Sequence, residues 1–248
     1  MNHTFTNQFM SNNKNLKFAQ AAMMGPNAMR VGEELTSHIN INGGMRILDL
    51  GCGMGLSTIF LAQKYGASVF AADLWISPTD NYERFKFFGI GDKVIPISVD
   101  ATKGLPFADE YFDVLFSVGA YQYFADKPDM LSSLIPFVKK GGYITISLNG
   151  IKYEFGGNIP DVMKPFWNDD VERTMHSLNW WEELWNKEKG IEILEISEMP
   201  CHKQTWDEWL DGYRSDLPYA DIVAEAIEMM KAEDGKYFNT IQLIAKVI

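Results

Sequence analysis

Cysteine is scarce in this chain of 248 residues, which has 2. Cys52 and Cys201 lie far apart and form neither a CxxC pair nor a disulfide framework. Cys52 sits in a glycine-rich stretch where a small side chain fits, so it reads as a packing residue. Long apolar runs are missing too. None approaches the roughly 18 residues that would span a bilayer. Residues 1–17 hold five asparagines and no apolar core of a signal peptide. That segment is expected to be polar and mobile, and the protein cytoplasmic. Positive charge is also in deficit. Lys and Arg number 22 against 33 Asp and Glu, a net charge of −11. Such a surface repels polyanions on average, so neither nucleic acid nor an anionic membrane is an expected partner. The basic pair Lys139-Lys140 precedes Gly141-Gly142 and reads as the end of a helix. No cluster of Asp, Glu or His has metal-ligand spacing, so no metal is expected.

Hydrophobic residues make up 46% of the chain, enough for a real core. The length suits one domain, residues 1–248, carrying an insertion. Its organising stretch is residues 45–56. A short apolar run, 45–50, has the character of a buried parallel strand. Glycines then occupy alternate positions, 51, 53 and 55. Leu56, Ile59 and Phe60 follow at helix spacing. Strand, glycine turn and helix form the first half of a nucleotide-binding βαβ unit. Glycine allows a tight turn and lets a ligand approach the backbone.

Strands and helices alternate from there to residue 148, which predicts a doubly wound, mostly parallel sheet. Strands are expected at 68–73, 94–99, 113–118 and 143–148, and helices at 56–65, 81–88 and 128–138, the last kinked or ended by Pro136. The pattern then breaks. Residues 150–189 are rich in aromatics and carboxylates and read as a cap insertion. A strand at 191–199, helices at 205–210 and 219–231, and a last strand at 239–247 close the chain. Residues 1–30, with the break at Gly25-Pro26, read as a helix connection or as a lip over the ligand.

The turn spells Asp49-x-Gly51-x-Gly53-x-Gly55. A dinucleotide turn would want a small residue where Leu56 stands, and Asp49 would repel a pyrophosphate. A nicotinamide-dependent oxidoreductase is therefore disfavoured. The stretch resembles motif I of the class I S-adenosylmethionine-dependent methyltransferases, an acidic residue followed by GxGxG. Further markers of that family follow in order. Asp73 ends the second strand, Asp100-Ala101 follows the third, and the run from Leu105 to Val114 (LPFADEYFDV) resembles the family's link into strand four. Lys139 to Tyr143 resembles the turn before strand five. The resemblance covers residues 43–148 and fades beyond. Gly25-Pro26 and residues 117–121 are similar to a subgroup of bacterial small-molecule methyltransferases.

The resemblance implies a Rossmann-like methyltransferase fold with seven strands, the last antiparallel, and an aromatic-rich insertion after strand five. It implies S-adenosyl-L-methionine as cofactor and S-adenosyl-L-homocysteine as product. The cofactor-binding set it implies is Asp49, Gly51, Gly53, Gly55, Asp73, Leu74, Trp75, Asp100, Ala101 and Ser117. Asp73 would take both ribose hydroxyls, since a carboxylate has two oxygens for two donors. Asp49 would bind the cofactor's amino group or brace the turn. Asp100 and Ala101 would read the adenine. Leu74 and Trp75 would sandwich it, unless Trp75 covers the sheet edge.

Methyl transfer needs alignment, exclusion of water and, for some acceptors, a base. Tyr121 and His176 are the first candidates at the reaction centre, with Tyr123, Glu154 and His202 behind them. Tyr121, Tyr123, Trp167 and Trp180 are candidate walls for an acceptor. Trp181 and Trp185, four apart, read instead as a buried helix stripe. The expected function is methyl transfer to a small-molecule acceptor by in-line displacement, with a homodimer as one expected assembly. The alternatives are a lipid-modifying enzyme similar to cyclopropane synthases and a non-catalytic S-adenosylmethionine-binding protein.

Overall fold

The computed structural model describes residues 3–217 and 219–248. Its centre is one seven-stranded sheet of order β3-β2-β1-β4-β5-β7-β6. The strands are β1 (Arg46–Leu50), β2 (Ser68–Asp73), β3 (Val94–Ser98), β4 (Phe112–Val118), β5 (Val138–Ile151), β6 (Ile191–Glu198) and β7 (Phe238–Val247). The first five run parallel, and β7 lies antiparallel between β5 and β6. The order reverses between β1 and β4, the switch point where such sheets bind ligands.

The helices are α1 (Thr4–Met10), α2 (Asn13–Ala22), α3 (Ala28–Leu35), α4 (Leu56–Tyr65), α5 (Pro78–Phe87), α6 (Met130–Leu134), α7 (Asp169–Thr174), α8 (Leu178–Trp185), α9 (His202–Gly212) and α10 (Ala220–Glu233). Both faces of the sheet are covered. On one face Ile47 and Phe116 meet Val31 of α3, Phe60 of α4, Trp206 of α9 and Ile227 of α10. On the other Leu48 and Leu115 join Leu131 of α6 and Trp181 and Trp185 of α8. Burial on both faces explains why β1 is apolar almost throughout rather than alternating. Asp49 is the exception, and it is fully buried.

Three expectations change. Residues 1–17 are not a loose polar tail among the described residues, because they contain α1 and the start of α2. Phe5 and Phe9 stand one turn apart and pack on Phe60 and Phe88 respectively. The asparagines obscured this pair. Secondly, the helix expected at 128–138 is shorter, Met130–Leu134, and Pro136, expected to kink or end it, sits in a short 3-10 turn, Ile135–Phe137. Thirdly, Gly141-Gly142 lies inside β5, where pairing with β4 shifts register between Phe112 and Val114. A side chain at Gly142 would strike the Asp113 carbonyl at 2.7 Å. The glycine pair permits a bulge rather than a helix cap. The region 150–189 holds α7 and α8, and Trp181 and Trp185 are fully buried.

Glu33 of α3 holds the N-terminal segment down. Its carboxylate accepts from Phe5 N and Thr6 N at 2.9 Å each, and from the Thr6 hydroxyl at 2.8 Å. It caps α1 from 27 residues away, while His3 supplies no side-chain cap. Burial raises the Glu33 pKa, but these hydrogen bonds and Lys64 outweigh it and hold the group below its ordinary value of 4.5. Its contribution to stability is therefore complete above the ordinary carboxylate range and drains as pH falls through the lower folded value. Glu33→Gln should cost about 2 kcal/mol at neutral pH. It should also abolish amide-exchange protection in α1 before that of β1, measurable by hydrogen exchange with mass spectrometry.

Candidate functional site

The site is built where β1 ends. Gly51, Gly53 and Gly55 have φ of 74, 53 and 87°, the left-handed region that glycine adopts without strain. Gly51 also admits no side chain, since a Cβ would lie 2.2 Å from that of Ala120. Gly51 N and Cys52 N donate to the Ala72 carbonyl at 2.8 and 3.1 Å, folding the turn against β2. Gly53 N donates to Asp73 Oδ2 at 2.8 Å. Asp73 Oδ1 accepts from Trp75 N and Ile76 N at 2.8 and 2.9 Å. One carboxylate thus joins the glycine turn to the loop after β2. Three of the carboxylate's roughly four acceptor sites are thus taken, and Oδ2 keeps capacity for a further donor.

A cavity of about 390 Å³ opens at this end of the sheet. Of the expected cofactor set, Gly51, Gly53, Asp73, Leu74, Trp75, Asp100 and Ala101 line it. Trp75 is 66% exposed and meets the Tyr123 ring edge-on, with centroids 5.2 Å apart. The pair forms an aromatic rim. Asp100 is held below its ordinary pKa by the Thr102 hydroxyl first and then Lys103. It stays an acceptor at neutral pH.

Three expected cofactor residues stand back from the cavity. Asp49 braces the turn from behind, accepting from Ser57 and Thr58 hydroxyls at 2.7 and 2.5 Å. Gly55 begins α4 and packs on Phe85. The Ser117 hydroxyl, fully buried, donates to the Leu50 carbonyl at 2.8 Å.

The expected reaction-centre residues are corrected more sharply. Tyr121 is 2% exposed and wedged among Phe124, Trp181 and Trp185 on the opposite face. Burial drives its pKa up, so it is a core phenol. His176 stacks on Trp180 at 3.9 Å and faces Glu154, and none of the three lines the cavity. Trp180 borders a separate surface hollow, and Trp167 packs on Phe155. Tyr123 alone of the expected acceptor walls reaches the cavity.

Met23 and Met24, within the segment read as a possible lip, line the cavity. Other lining residues, Val31, Gln122, Ser147, Asn149, Arg173 and Thr240, have no counterpart in the sequence reading. Ser147 and Asn149 alternate with apolar Ile146 and Leu148 along β5, a signal visible in the sequence. Thr240 joins them because β7 pairs Asn149 with Thr240. The Thr240 hydroxyl also contacts His202 Nδ1 at 2.9 Å and accepts from Trp206 Nε1 at 3.0 Å. His202 is therefore connected to the cavity although it does not line it.

Residues 48–146 match the family model described as a methyltransferase domain. A phosphoethanolamine N-methyltransferase 2 from Haemonchus contortus, solved with S-adenosyl-L-methionine, superposes with a TM-score of 0.72 at 20% identity, covering 99% of this chain and 59% of that one. The chain has the class I methyltransferase fold. The same fold carries the [4+2]-cyclase SpnF, which superposes with a TM-score of 0.69 at 18% identity and covers 89% of this chain and 81% of that one. Among curated proteins, methyltransferase GfsG of Streptomyces halstedii is 24% identical over 171 residues, 68% of this chain and 61% of GfsG. The chain spans less than two thirds of the length of the curated relatives it matches. Among the described residues, no helix is long and apolar enough to cross a membrane.

The glycine turn depends on a buried acid with a measurable signature. Burial pushes Asp49 from 3.8 to about 6, against the hydrogen bonds of Thr58 and Ser57, and Asp73 adds to the rise. Its protonated form favours the fold, so its contribution is present at acid pH and is lost as pH climbs through about 6. The loss between about pH 4 and 6 should be about 3 kcal/mol at most. In Asp49→Asn, thermal melts across that window should flatten relative to wild type.

Proposed function

We propose that this protein binds S-adenosyl-L-methionine and transfers its methyl group to a small-molecule acceptor. The observation that carries the reading is the Asp73 carboxylate. It stands at the carboxyl end of β2, fixed by three backbone N–H groups, with an acceptor site left on Oδ2 for a ribose hydroxyl. The cradle fits the group. Gly53 faces the cavity with nothing nearer than Met24 Sδ at 4.0 Å, so a ligand can lie on its backbone. Asp100 and Ala101 would hold the adenine, with Leu74 and Trp75 against its faces.

The cofactor, when bound, supplies an already activated methyl group. The chain's task is then to hold the acceptor in line, exclude water and accept a proton where one is released. Met23, Met24 and Val31 give the acceptor an apolar wall. Gln122, Ser147 and Asn149 give it amide and hydroxyl partners. This mixture suits a compact acceptor with one polar end. For the proton, the reading uses Thr240. Its oxygen accepts from Trp206, and its O–H can donate to His202 Nδ1, leaving one lone pair for the acceptor. Burial, with Lys152 nearby, lowers the His202 pKa, which leaves the ring neutral and able to receive the proton at neutral pH. His202 in this scheme acts through Thr240 and touches no substrate. The protein would work in the cytoplasm on a diffusible acceptor, and light scattering would test the homodimer.

Isothermal titration should give micromolar or tighter binding of S-adenosyl-L-methionine and S-adenosyl-L-homocysteine, weakened roughly 100-fold in Asp73→Ala, the cost of losing a charged hydrogen-bonding partner together with its hold on the glycine turn. Absence of binding to wild type would overturn the reading. Product formation across amines, phenols and carboxylic acids then separates an enzyme from a binding protein, and vesicle flotation tests the lipid-modifying alternative. With a turned-over acceptor that loses a proton, Thr240→Val and His202→Gln should lower kcat roughly 100-fold, as for loss of a general base. Cofactor affinity should hold, and His202→Gln should remove the acid limb of the rate–pH profile.

A further inference from the structure

A second polar cluster lies away from the cavity, under the N-terminal helices. His3, Glu34 and Cys201 are 6%, 1% and 3% exposed. One ligand atom from each, an imidazole nitrogen, a carboxylate oxygen and the thiol sulfur, all lie within 4.8 Å of one another. His3 Nε2 is 3.3 Å from Glu34 Oε2. Yet His3 Nε2 and both Glu34 oxygens are buried without a hydrogen-bond partner among the described residues. An unpaired buried carboxylate is costly, and the buried Glu33, Asp49 and Glu233 all have backbone or hydroxyl donors. This one instead faces a nitrogen and a sulfur.

We infer that His3, Glu34 and Cys201 form a zinc site that fastens the N-terminal segment to the body of the protein. The donor set matches the metal. Zinc takes imidazole nitrogen, thiolate sulfur and carboxylate oxygen in tetrahedral sites, with three protein ligands and a water as one common arrangement. The charge matches as well. One carboxylate, one thiolate, a neutral imidazole and a divalent cation sum to zero, as a buried site requires. Arg30 lies one turn before Glu34 and would oppose a cation. Its Nε and Nη2 are engaged by Glu208, with Nε 3.0 Å from Oε2, and by Asn7 at 3.1 Å, while Nη1 is buried without a partner among the described residues. Glu208 balances the Arg30 charge. Glu33, beside Glu34, is engaged by Thr6, Phe5 and Lys64 and is not free to take the place of a ligand. Coordination moves the Cys201 thiol proton to solvent and forms the metal–sulfur bond.

The three ligands come from just before α1, from α3, and from the turn that opens α9. Their positions, 3, 34 and 201, show no ligand spacing in the sequence, which is why no metal is expected from it. The same elements carry the lip of the cavity. Asn27, after Gly25-Pro26, caps α3 and donates to Glu208 of α9 at 2.7 Å. A metal here would set the closure of that lip.

The test uses the full chain with a tag at its C-terminus, stripped with chelator. Titration with Zn²⁺ against a chromophoric chelator should show stoichiometric binding at micromolar or lower Kd and a raised melting temperature. Co²⁺ should give the intense visible bands of a tetrahedral site and a thiolate-to-metal charge-transfer band. Cys201→Ser should lose that band, and Cys52→Ser should keep it. His3→Gln should weaken Zn²⁺ roughly tenfold or more, as for loss of one ligand. Absence of the charge-transfer band in wild type, or its persistence in Cys201→Ser, would overturn the site. The wild-type spectrum decides the matter even where a variant does not fold. Titration with S-adenosyl-L-methionine reports on the cavity separately.

Discussion

Carboxylates bound by backbone N–H groups hold this molecule together where its secondary structure ends. Asp73 does so at the ligand end of the sheet, where it takes Gly53, Trp75 and Ile76. Glu33 does so for α1 through Phe5 and Thr6. Glu233, 1% exposed, takes Gly235, Tyr237 and Phe238 and thereby turns the chain from α10 into β7. In each case an ionised side chain replaces the partners that a loop or helix end leaves unmet. The acidic composition, which from the sequence speaks only of repulsion and solubility, thus includes a set of internal fasteners. Glu34 departs from the pattern because no backbone donor reaches it.

How much of this was legible depends on the range over which each feature is determined. The glycine turn is local. Its residues, the strand before it and the helix after it fit within a dozen positions, and alternation of glycine with a required acid is enough to read it. Asp73 and Asp100 follow from the same logic, since each stands at the end of a strand. The two cores were legible as apolar periodicity, and Trp181 and Trp185 as a stripe. By contrast, α1 depends on a cap supplied by Glu33, and no local pattern around His3 announces it. The placement of Tyr121 depends on how the 3-10 turn Tyr121–Phe124 directs alternate rings. Tyr121 goes into the core with Trp181, and Tyr123 turns out to meet Trp75. Adjacent aromatics in one turn carry no sequence mark to tell these outcomes apart.

Asp49 illustrates a different limit. The sequence justified an acid there but left two roles open, contact with the ligand or support of the turn. The deciding facts are the hydroxyls of Ser57 and Thr58, one turn into α4, which meet it in the interior. Those residues are polar positions on a helix otherwise apolar toward the sheet. Read together with Asp49, they are a buried hydrogen-bonded trio. Both hydroxyls meet Oδ2, which ties the first turn of α4 to the end of β1, while Oδ1 is buried without a partner among the described residues.

The cavity divides along the same line. Its end at the glycine turn is made of backbone and strand-end acids between Leu50 and Ala120, and the family match at residues 48–146 falls over that portion. Its far end is made of side chains from segments that meet only in the folded state. Met23 and Met24 precede the match, whereas Ser147, Asn149, Arg173 and Thr240 follow it. The pairing of Asn149 with Thr240 joins positions 91 residues apart. A likeness that stops at residue 146 therefore constrains which cofactor fits far more tightly than which acceptor does. The structural neighbours agree with that division, since one fold carries both a phosphoethanolamine N-methyltransferase and a [4+2]-cyclase. Under the proposed function, specificity would belong to the lip before α3 and to the polar face shared by β5 and β7.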